Sequence, residues 1–334
     1  MIANSVAPGH VPLAHLGVIR VQGPDAIAFL HGQLTQDFAL LPPDQARLAA
    51  WCSPKGRMLV SLIGFSSVVA EGAEPAVLLV LWRDRIEAML KRLRMFVLRA
   101  KVTLTDVSDE LALHGLLGDT ALAAAPELQR SWQRAHRADG VDVVRLPGAM
   151  PPAALSGASG QALPELARAL WVAPRGQMPE GPALPLAAWL TAEVWSGVAP
   201  VMTATAEAFV PQMLNYESVG GVNFKKGCYP GQEIVARSQF RGTLKQRAFV
   251  GRVQGAVQNG DEVWTTGEDA GVVGTVALAA PAESADPAEA GSAPWVIASL
   301  KLSAVDERLP LAIGGASGPA LAGLGLPYAL ADDL

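Results

Sequence analysis

The chain has 334 residues, which is enough for two or three domains with substantial hydrophobic cores. Half of the residues are hydrophobic and only 17% are charged, a composition that excludes an intrinsically disordered or fibrous protein. The formal net charge of −5 excludes a general attraction to nucleic acid or to an anionic membrane, so an RNA contact would require a local basic patch.

The N-terminal part of the chain, residues 1–105, alternates between strand-like and helix-like patterns. The sequence Gly-Pro-Asp at 23–25 opens a short helix, and Ser-Pro-Lys-Gly at 53–56 forms a turn between two strands. An amphipathic helix is predicted over 83–93, where apolar residues recur at helical spacing. Because strands and helices interleave without the strict repeat of a doubly wound sheet, the pattern predicts an α+β fold. The predicted strands are 15–21, 48–52, 57–65, 76–82 and 96–105.

The C-terminal part of the chain changes character after Arg247. Short strands separated by glycine-containing turns predict a small β-barrel there, and a helix over 184–194 precedes it. We therefore expect a first region over 1–240 and a C-terminal barrel domain over 241–334. The barrel strands are predicted at 249–253, 262–264 and 272–277, and surface loops of low complexity at 149–164 and 279–294.

The cysteines and the apolar segments indicate the compartment. Cys52 and Cys228 lie far apart without CxxC spacing, so the sequence predicts neither a disulfide framework nor a metal site. The N-terminus lacks the charged and apolar regions of a signal peptide. The longest uncharged stretch, 309–330, is interrupted by prolines and glycines, which excludes it as a membrane helix. We expect a cytoplasmic protein without a membrane partner.

The most informative segment is residues 223–237, NFKKGCYPGQEIVAR. Its Tyr-Pro-Gly-Gln sequence at 229–232 suits a type II turn, because proline presets one central dihedral angle and glycine supplies the positive φ of the next residue. Gln232 then begins a helix in which Glu233 favours the helix dipole and can pair with Arg237.

Cys228 precedes this helix and lies two residues after Lys226, and both features favour a thiolate. Six basic residues against the single Glu233 give the surrounding segment a charge of +5. Such a patch can bind a phosphate or an anionic tail, or it can be an ordinary solvated face with Cys228 as a small buried hydrophobe. The residues alone leave both interpretations open. The basic residues are Lys225, Lys226, Arg237, Arg241, Lys245 and Arg247.

The sequence KGCYPGQEIVAR at 226–237, preceded by LNYESVGGVNFK and followed by FRGTLKQR, resembles the signature of the YgfZ family. That family is related to the T-protein of the glycine cleavage system. The resemblance spans nearly the whole chain and is strongest over 209–247. Further matching segments are GQLTQD at 32–37, KGR at 55–57, FVPQ at 209–212 and GVVGT at 271–275.

The resemblance implies a T-protein-like ring of two α+β lobes and a C-terminal β-barrel, with tetrahydrofolate or a related folate in a central channel. It also implies an accessory role in iron–sulfur cluster assembly or repair and, through it, in tRNA modification. Iron–sulfur proteins or assembly factors would then be partners, and a weak direct tRNA contact is a further candidate.

The resemblance also implies a set of site residues. Glu193 would accept hydrogen bonds from the pterin, and the aromatic face of Trp189 would stack on its ring. Cys228 would be the functional thiol, with Lys226 beside it. The remaining residues expected at the folate site are Lys226, Gln232, Glu233 and Arg237.

The enzymatic relatives place an aspartate just after a glycine turn in the first hairpin. The comparable stretch here, GRMLVS at 56–61, has no carboxylate, and Met58, Leu59 and Val60 cannot exchange a proton. This favours an accessory protein over an enzyme of the glycine-cleavage type. The alternatives are a folate-dependent one-carbon transferase or demethylase of unknown substrate, and an RNA-binding module acting directly on tRNA.

Overall fold

A computed structural model of the protein describes residues 7–67, 74–151, 164–242, 244–281 and 293–331. These residues form two five-stranded antiparallel sheets and a closed six-stranded barrel, together with six helices in the described part of the chain. The mixed architecture confirms the predicted α+β class. No helix among these residues is both long and apolar enough to cross a membrane.

The first sheet has the strand order β3-β4-β5-β2-β6 and carries helices α1 and α2 on one face. Alternation along β2 sends Ile19 and Val21 into the core beneath the helices, whereas Val18 faces the central core of the protein. The elements are β2 (Leu16–Gln22), α1 (Ala26–His31), β3 (Ala46–Cys52), β4 (Met58–Ser66), β5 (Ala76–Trp82), α2 (Ile86–Val97) and β6 (Thr103–Asp106).

The strand predicted over 96–105 is wrong in its first half. Helix α2 continues to Val97, and β6 begins only at Thr103. The reason is that Val97 lies four residues after Leu93 and packs against the same core, so the helical spacing of apolar residues extends beyond 93.

The second sheet has the order β1-β7-β10-β9-β8. Helix α3 packs on its outer face, where Ala121 shares a hydrophobic core with Leu116 and Val143. Helix α4 packs on the opposite face, where Ala192 joins the central core. The elements are β1 (Gly9–Pro12), β7 (Leu111–Leu117), α3 (Asp119–Ala124), β8 (Arg134–His136), β9 (Asp142–Ala149), β10 (Leu166–Pro174) and α4 (Leu186–Trp195).

The predicted barrel is confirmed, with the closed strand order β11-β14-β13-β12-β15-β16. Helix α5 (Gln232–Phe240) precedes it, and the domain boundary at 240 stays a prediction. The predicted loops at 149–164 and 279–294 lie mostly outside the described residues. The barrel elements are β11 (Gln246–Val253), β12 (Glu262–Thr265), β13 (Val272–Ala279), β14 (Trp295–Lys301), α6 (Leu302–Asp306), β15 (Leu311–Ile313) and β16 (Ala320–Gly325).

One continuous core joins both sheets and the barrel. Val80 enters it from the first sheet, Leu170 from the second and Ile297 from the barrel. Residues 209–231 run through this junction, where the Tyr216 hydroxyl donates a hydrogen bond to the Ala199 carbonyl at 2.8 Å. The facing surfaces of the two sheets are therefore held at a defined separation, and a cavity remains between them.

Candidate functional site

A cleft lies between the two sheets. Strands β3, β4 and β5 supply one wall, and β9, β10 and α4 supply another. The lining is mostly apolar and includes the aromatic side chains of Trp82, Trp132 and Tyr216. A largely apolar cleft with a few convergent polar groups is typical of a small-molecule site.

Arg168 and Glu193 are the charged residues in the described lining. Their side chains are 2% and 17% exposed, and Arg168 Nη2 lies 3.9 Å from Glu193 Oε1. Two further atoms of the pair, Arg168 Nε and Glu193 Oε2, are buried without a hydrogen-bond partner. Because buried polar groups are normally satisfied, this pair is incomplete within the protein itself.

The burial of the pair changes the acidity of both groups. Burial raises the pKa of Glu193, and the nearby guanidinium of Arg168 opposes that rise. Burial likewise lowers the pKa of Arg168 to about 10, against the opposing effect of Glu193. A ligand that donates hydrogen bonds to the carboxylate and accepts one from the guanidinium would satisfy both groups.

The expectation that Trp189 stacks on a ligand requires correction. Trp189 is 2% exposed, belongs to the central core and is absent from the cavity lining. Its ring lies under the Arg168 guanidinium, at 4.6 Å from the ring centroid, and packs directly on β7 at Gly115. A Cβ at Gly115 would come within 2.2 Å of the indole. Trp189 therefore supports Arg168 from below, and the aromatic walls of the cavity come from other residues.

Trp132, which the sequence reasoning missed, lines the cavity in a strained conformation. Its φ of 70° lies in the left-handed region, which is unfavourable for a bulky side chain. Three hydrogen bonds maintain it: its backbone N–H donates to Arg145, its carbonyl accepts from Ala46, and its indole N–H donates to Val219. No local sequence pattern predicts this strained backbone conformation.

Arg168 was also missed, although the sequence carries a signal for it. This cation is the second residue after the start of β10, in an otherwise apolar strand, LARALWVAP. A charged side chain within a buried strand requires a partner, so this sequence pattern was sufficient to identify Arg168 as a candidate.

The predicted turn before α5 is confirmed. Gly231 has φ 80° and ψ 1°, and the N–H of Gln232 donates to the carbonyl of Tyr229 at 3.2 Å, as a type II turn requires. A Cβ at Gly231 would lie 2.4 Å from the Ser53 carbonyl oxygen and 2.8 Å from Gly56 Cα. The turn therefore packs backbone against backbone on the hairpin turn between β3 and β4.

Lys226 anchors this segment to the end of α1. It is 7% exposed, and its ammonium group donates to the carbonyls of His31 and Leu34 at 2.5 and 2.8 Å. The same nitrogen lies 4.8 Å from the centroid of the Tyr229 ring. Burial lowers the pKa of Lys226 to about 8, which Asp37 and Cys228 oppose. These contacts account for Lys226 as a positioning residue of the segment.

Cys228 is exposed, whereas Cys52 is buried and behaves as the packing residue expected. Burial raises the pKa of the Cys52 thiol to about 12. Glu233 and Arg237 are also exposed, and the salt bridge predicted between them is not formed among the described residues. Both side chains are solvated, so an ion pair between them would contribute little to the stability of the fold.

The residues predicted to form one folate site do not all line the described cavity. Glu193 lines the cavity, but Lys226, Cys228 and the α5 residues Gln232, Glu233 and Arg237 are absent from the described lining. Cys228 is exposed and does not line this cavity, and its expected place at a cavity mouth stays a prediction. No group of three or more possible metal ligands is found in the part of the chain that the structure describes.

The β3–β4 hairpin connects the cavity with the turn that precedes α5. Leu48 and Ser61 on its strands line the cavity, while its turn at 53–56 contacts Gly231. Leu48 and Cys52 are four residues apart on β3, which corresponds to about 13 Å of extended strand.

Comparison with known proteins places the chain among relatives that carry one name. Three curated proteins called "tRNA-modifying protein YgfZ" are similar to it. The one from Colwellia psychrerythraea is 31% identical, covering 72% of this chain and 70% of its own. The one from Edwardsiella ictaluri is 30% identical, covering 73% and 72%. The one from Sodalis glossinidius is 29% identical, covering 97% and 95%.

The chain belongs to the YgfZ family. No protein-family model matches it. Among solved structures, the aminomethyltransferase T of the glycine cleavage system from Bartonella henselae is similar, with a TM-score of 0.61 over 96% of this chain and 86% of that chain. At 15% identity this similarity concerns the fold alone, and it confirms the predicted T-protein-like fold.

Proposed function

We propose that this YgfZ family member is a folate-binding accessory protein that supports iron–sulfur cluster assembly or repair and, through it, tRNA modification. The observation that carries the proposal is the incomplete Arg168–Glu193 pair in an aromatic-walled cavity between the two sheets. The name of the curated relatives, "tRNA-modifying protein", supports the second half of the proposal.

The chemistry of a pterin fits the unsatisfied atoms of the cavity. A pterin presents a 2-amino group and a ring N–H side by side, and a carboxylate accepts two such bonds. Its adjacent carbonyl oxygen accepts from a guanidinium. Glu193 and Arg168 would hold these groups, and Trp82 or Trp132 would face the ring. When bound, tetrahydrofolate would supply a carrier for a one-carbon unit.

The remaining lining favours binding over catalysis. Glu193 is the one carboxylate in the described lining, and the pterin would engage it. The Ser61 hydroxyl already accepts a hydrogen bond from the Val201 N–H at 2.8 Å. Met58, Leu59 and Val60 are buried hydrophobic residues on β4. These three side chains cannot exchange a proton with a bound folate, and we therefore assign the protein an accessory role.

The exposed Cys228 thiol supports the iron–sulfur half of the proposal. Lys226 and the Gly231 turn hold its backbone against α1 and the β3–β4 turn, so the thiol is presented on a rigid support. Because it is exposed and does not line the described cavity, we assign it to contact with a partner, and we assign folate binding to Glu193 and Arg168.

Folate binding and the role of the Cys228 thiol can be tested separately. Isothermal titration with tetrahydrofolate should show saturable binding to the wild type and to Cys228→Ala with the same affinity within about twofold. In cells that lack the native gene, Cys228→Ala should fail to restore the activity of iron–sulfur enzymes. Absence of tetrahydrofolate binding to the wild type would refute the folate assignment. Full restoration by Cys228→Ala would refute the role of the thiol.

A further inference from the structure

The C-terminal end of α2 exposes apolar side chains that the proposed function does not use. Met95, Phe96 and Leu98 are 62%, 42% and 88% exposed. Elsewhere in the described residues, exposed large hydrophobic side chains are separated by at least six positions in the sequence. We call residues 91–101 the α2 end surface.

Helical spacing explains why this surface cannot be buried by its own fold. Ile86, Met89, Leu90 and Leu93 form the core-facing stripe of α2. Met95 lies on the opposite face of the helix, because two residues advance the helix by more than half a turn from Leu93. Exposing a large apolar side chain directly opposite the core is unfavourable in an isolated protein and indicates contact with another molecule.

Leu98 adds an independent observation. It follows the last residue of α2 with φ 39° and ψ −95°, a position where a helix usually places glycine. The chain thus bears backbone strain and apolar exposure at the same residue. Backbone strain combined with an exposed apolar side chain is expected where that side chain contacts another molecule.

The α2 end surface is strongly basic. Five basic residues and no acidic residue lie between 91 and 101, in a protein of net charge −5. None of the five forms a salt bridge among the described residues. Two acidic residues lie beside the surface: Glu87 precedes Lys91 by one helical turn, and the Asp25 carboxylate accepts from the backbone N–H of Lys101 at 2.7 Å. The basic residues are Lys91, Arg92, Arg94, Arg99 and Lys101.

Part of the surface is ordered in advance. The guanidinium of Arg92 lies 5.7 Å from the centroid of Trp51, and the ring of Phe96 packs edge-on against the same indole at 6.2 Å. Both side chains therefore already occupy defined positions, which reduces the entropy that a partner must overcome.

We propose that the α2 end surface binds an acidic amphipathic helix of a partner protein. Leucine-type side chains on one face of that helix would cover Met95 and Leu98, and its acidic residues would meet the surrounding arginines and lysines. The exposed side chains favour a protein over RNA. Nucleic-acid bases stack on aromatic rings, whereas the two most exposed residues here are aliphatic and Phe96 already packs against Trp51.

The proposal can be tested with a fluorescein-labelled synthetic peptide of roughly 14 residues, four helical turns, with leucine on one face and glutamate on its flanks. Its control is a scrambled peptide of the same composition without an apolar face. Fluorescence anisotropy should show saturable binding of the amphipathic peptide to the full-length protein. Binding of the scrambled peptide should be weaker by at least about tenfold.

Two double variants separate the apolar and the charged contributions. Met95→Ser/Leu98→Ser and Arg94→Glu/Arg99→Glu should each weaken peptide binding by about tenfold or more. All four residues are exposed, so both variants should keep the wild-type circular dichroism spectrum. The matched controls are the exposed residues Met178 and Arg130, and their variants Met178→Ser and Arg130→Glu should bind within about twofold of the wild type.

Three results would overturn the proposal. The first is the absence of saturable peptide binding, and the second is equal binding of the scrambled peptide. The third is a preference for another anion. In that case an unmodified tRNA transcript or phosphatidylglycerol vesicles would bind more tightly than the peptide, and only the Arg94→Glu/Arg99→Glu variant would weaken their binding.

Discussion

The buried pair of Arg168 and Glu193 makes a prediction about stability as well as binding. Glu193→Gln preserves the size of the side chain but leaves the guanidinium of Arg168, 2% exposed, without a counter-ion. Removing one partner of a buried pair costs about 3–5 kcal/mol. Because these groups are 3.9 Å apart and Glu193 is 17% exposed, we expect a loss of about 2 kcal/mol in the free energy of unfolding.

The opposite substitution, Arg168→Met, should behave differently, since Glu193 can take up a proton whereas arginine cannot lose one. Burial already raises the pKa of Glu193, and removing Arg168 eliminates the largest influence that opposes the rise. The folded state then binds more protons than the unfolded state. The stability of Arg168→Met should therefore fall as the pH rises from the ordinary carboxyl value through the raised pKa.

Urea unfolding followed by tryptophan fluorescence measures these effects at about pH 5.5 and about pH 8, on either side of neutrality. The double variant should cost less than the sum of the two single variants by about 1 kcal/mol or more, because each single change leaves a buried group uncompensated. Additive losses, or an Arg168→Met variant with the pH dependence of the wild type, would show that the two side chains do not act as a pair.

Three further predictions concern the turn, its anchor and the pH dependence of binding. Gly231→Ala should lose about 3 kcal/mol of stability, because its Cβ would meet the Ser53 carbonyl. Gly267→Ala, at φ 105° with nothing near its Cβ, should lose only about 1 kcal/mol, and equal losses in urea would contradict the backbone contact. Lys226→Met should lower the free energy of unfolding by about 2 kcal/mol, and the exposed control Lys225→Met by less than about 0.5 kcal/mol. Equal losses would show that the two hydrogen bonds from Lys226 to backbone carbonyls do not stabilise the fold. Calorimetric affinity for tetrahydrofolate should decline as the pH falls through the raised pKa of Glu193, because the carboxylate must be ionised to accept both bonds; a pH-independent affinity would exclude Glu193.

Local patterns sufficed for much of the fold. Strand β5 spans Ala76–Trp82 as predicted, because seven consecutive apolar residues bounded by polar ones permit few alternatives. The type II turn at Gly231 was equally predictable, since proline and glycine determine its dihedral angles locally. The end of α2 was misplaced because a single residue, Val97, decided whether the helix continued.

The candidate site was less predictable because its parts are distant in sequence. Glu193 on helix α4 was identified from the resemblance, but Arg168 reaches it from strand β10, and only the packing of the helix on the second sheet brings them together. Trp189 was misassigned because an aromatic residue one helical turn from Glu193 can face either the cavity or the core. The absence of a side chain at Gly115, more than seventy positions away, settles this by admitting the ring against β7.

The segments that carry the family resemblance contact one another in the fold. Lys226 binds the carbonyl of Leu34, Gly231 packs on Gly56, and the N–H of Met58 donates to the carbonyl of Phe209 at 2.8 Å. These contacts join the matching segments to one another, so their sequences are explained by the support they build beneath an exposed thiol. The β3–β4 hairpin is part of that support and also forms a wall of the cavity. A ligand that displaced this hairpin would therefore move the backbone beneath Cys228, and Tyr216 connects the cavity wall to the same segment of the chain.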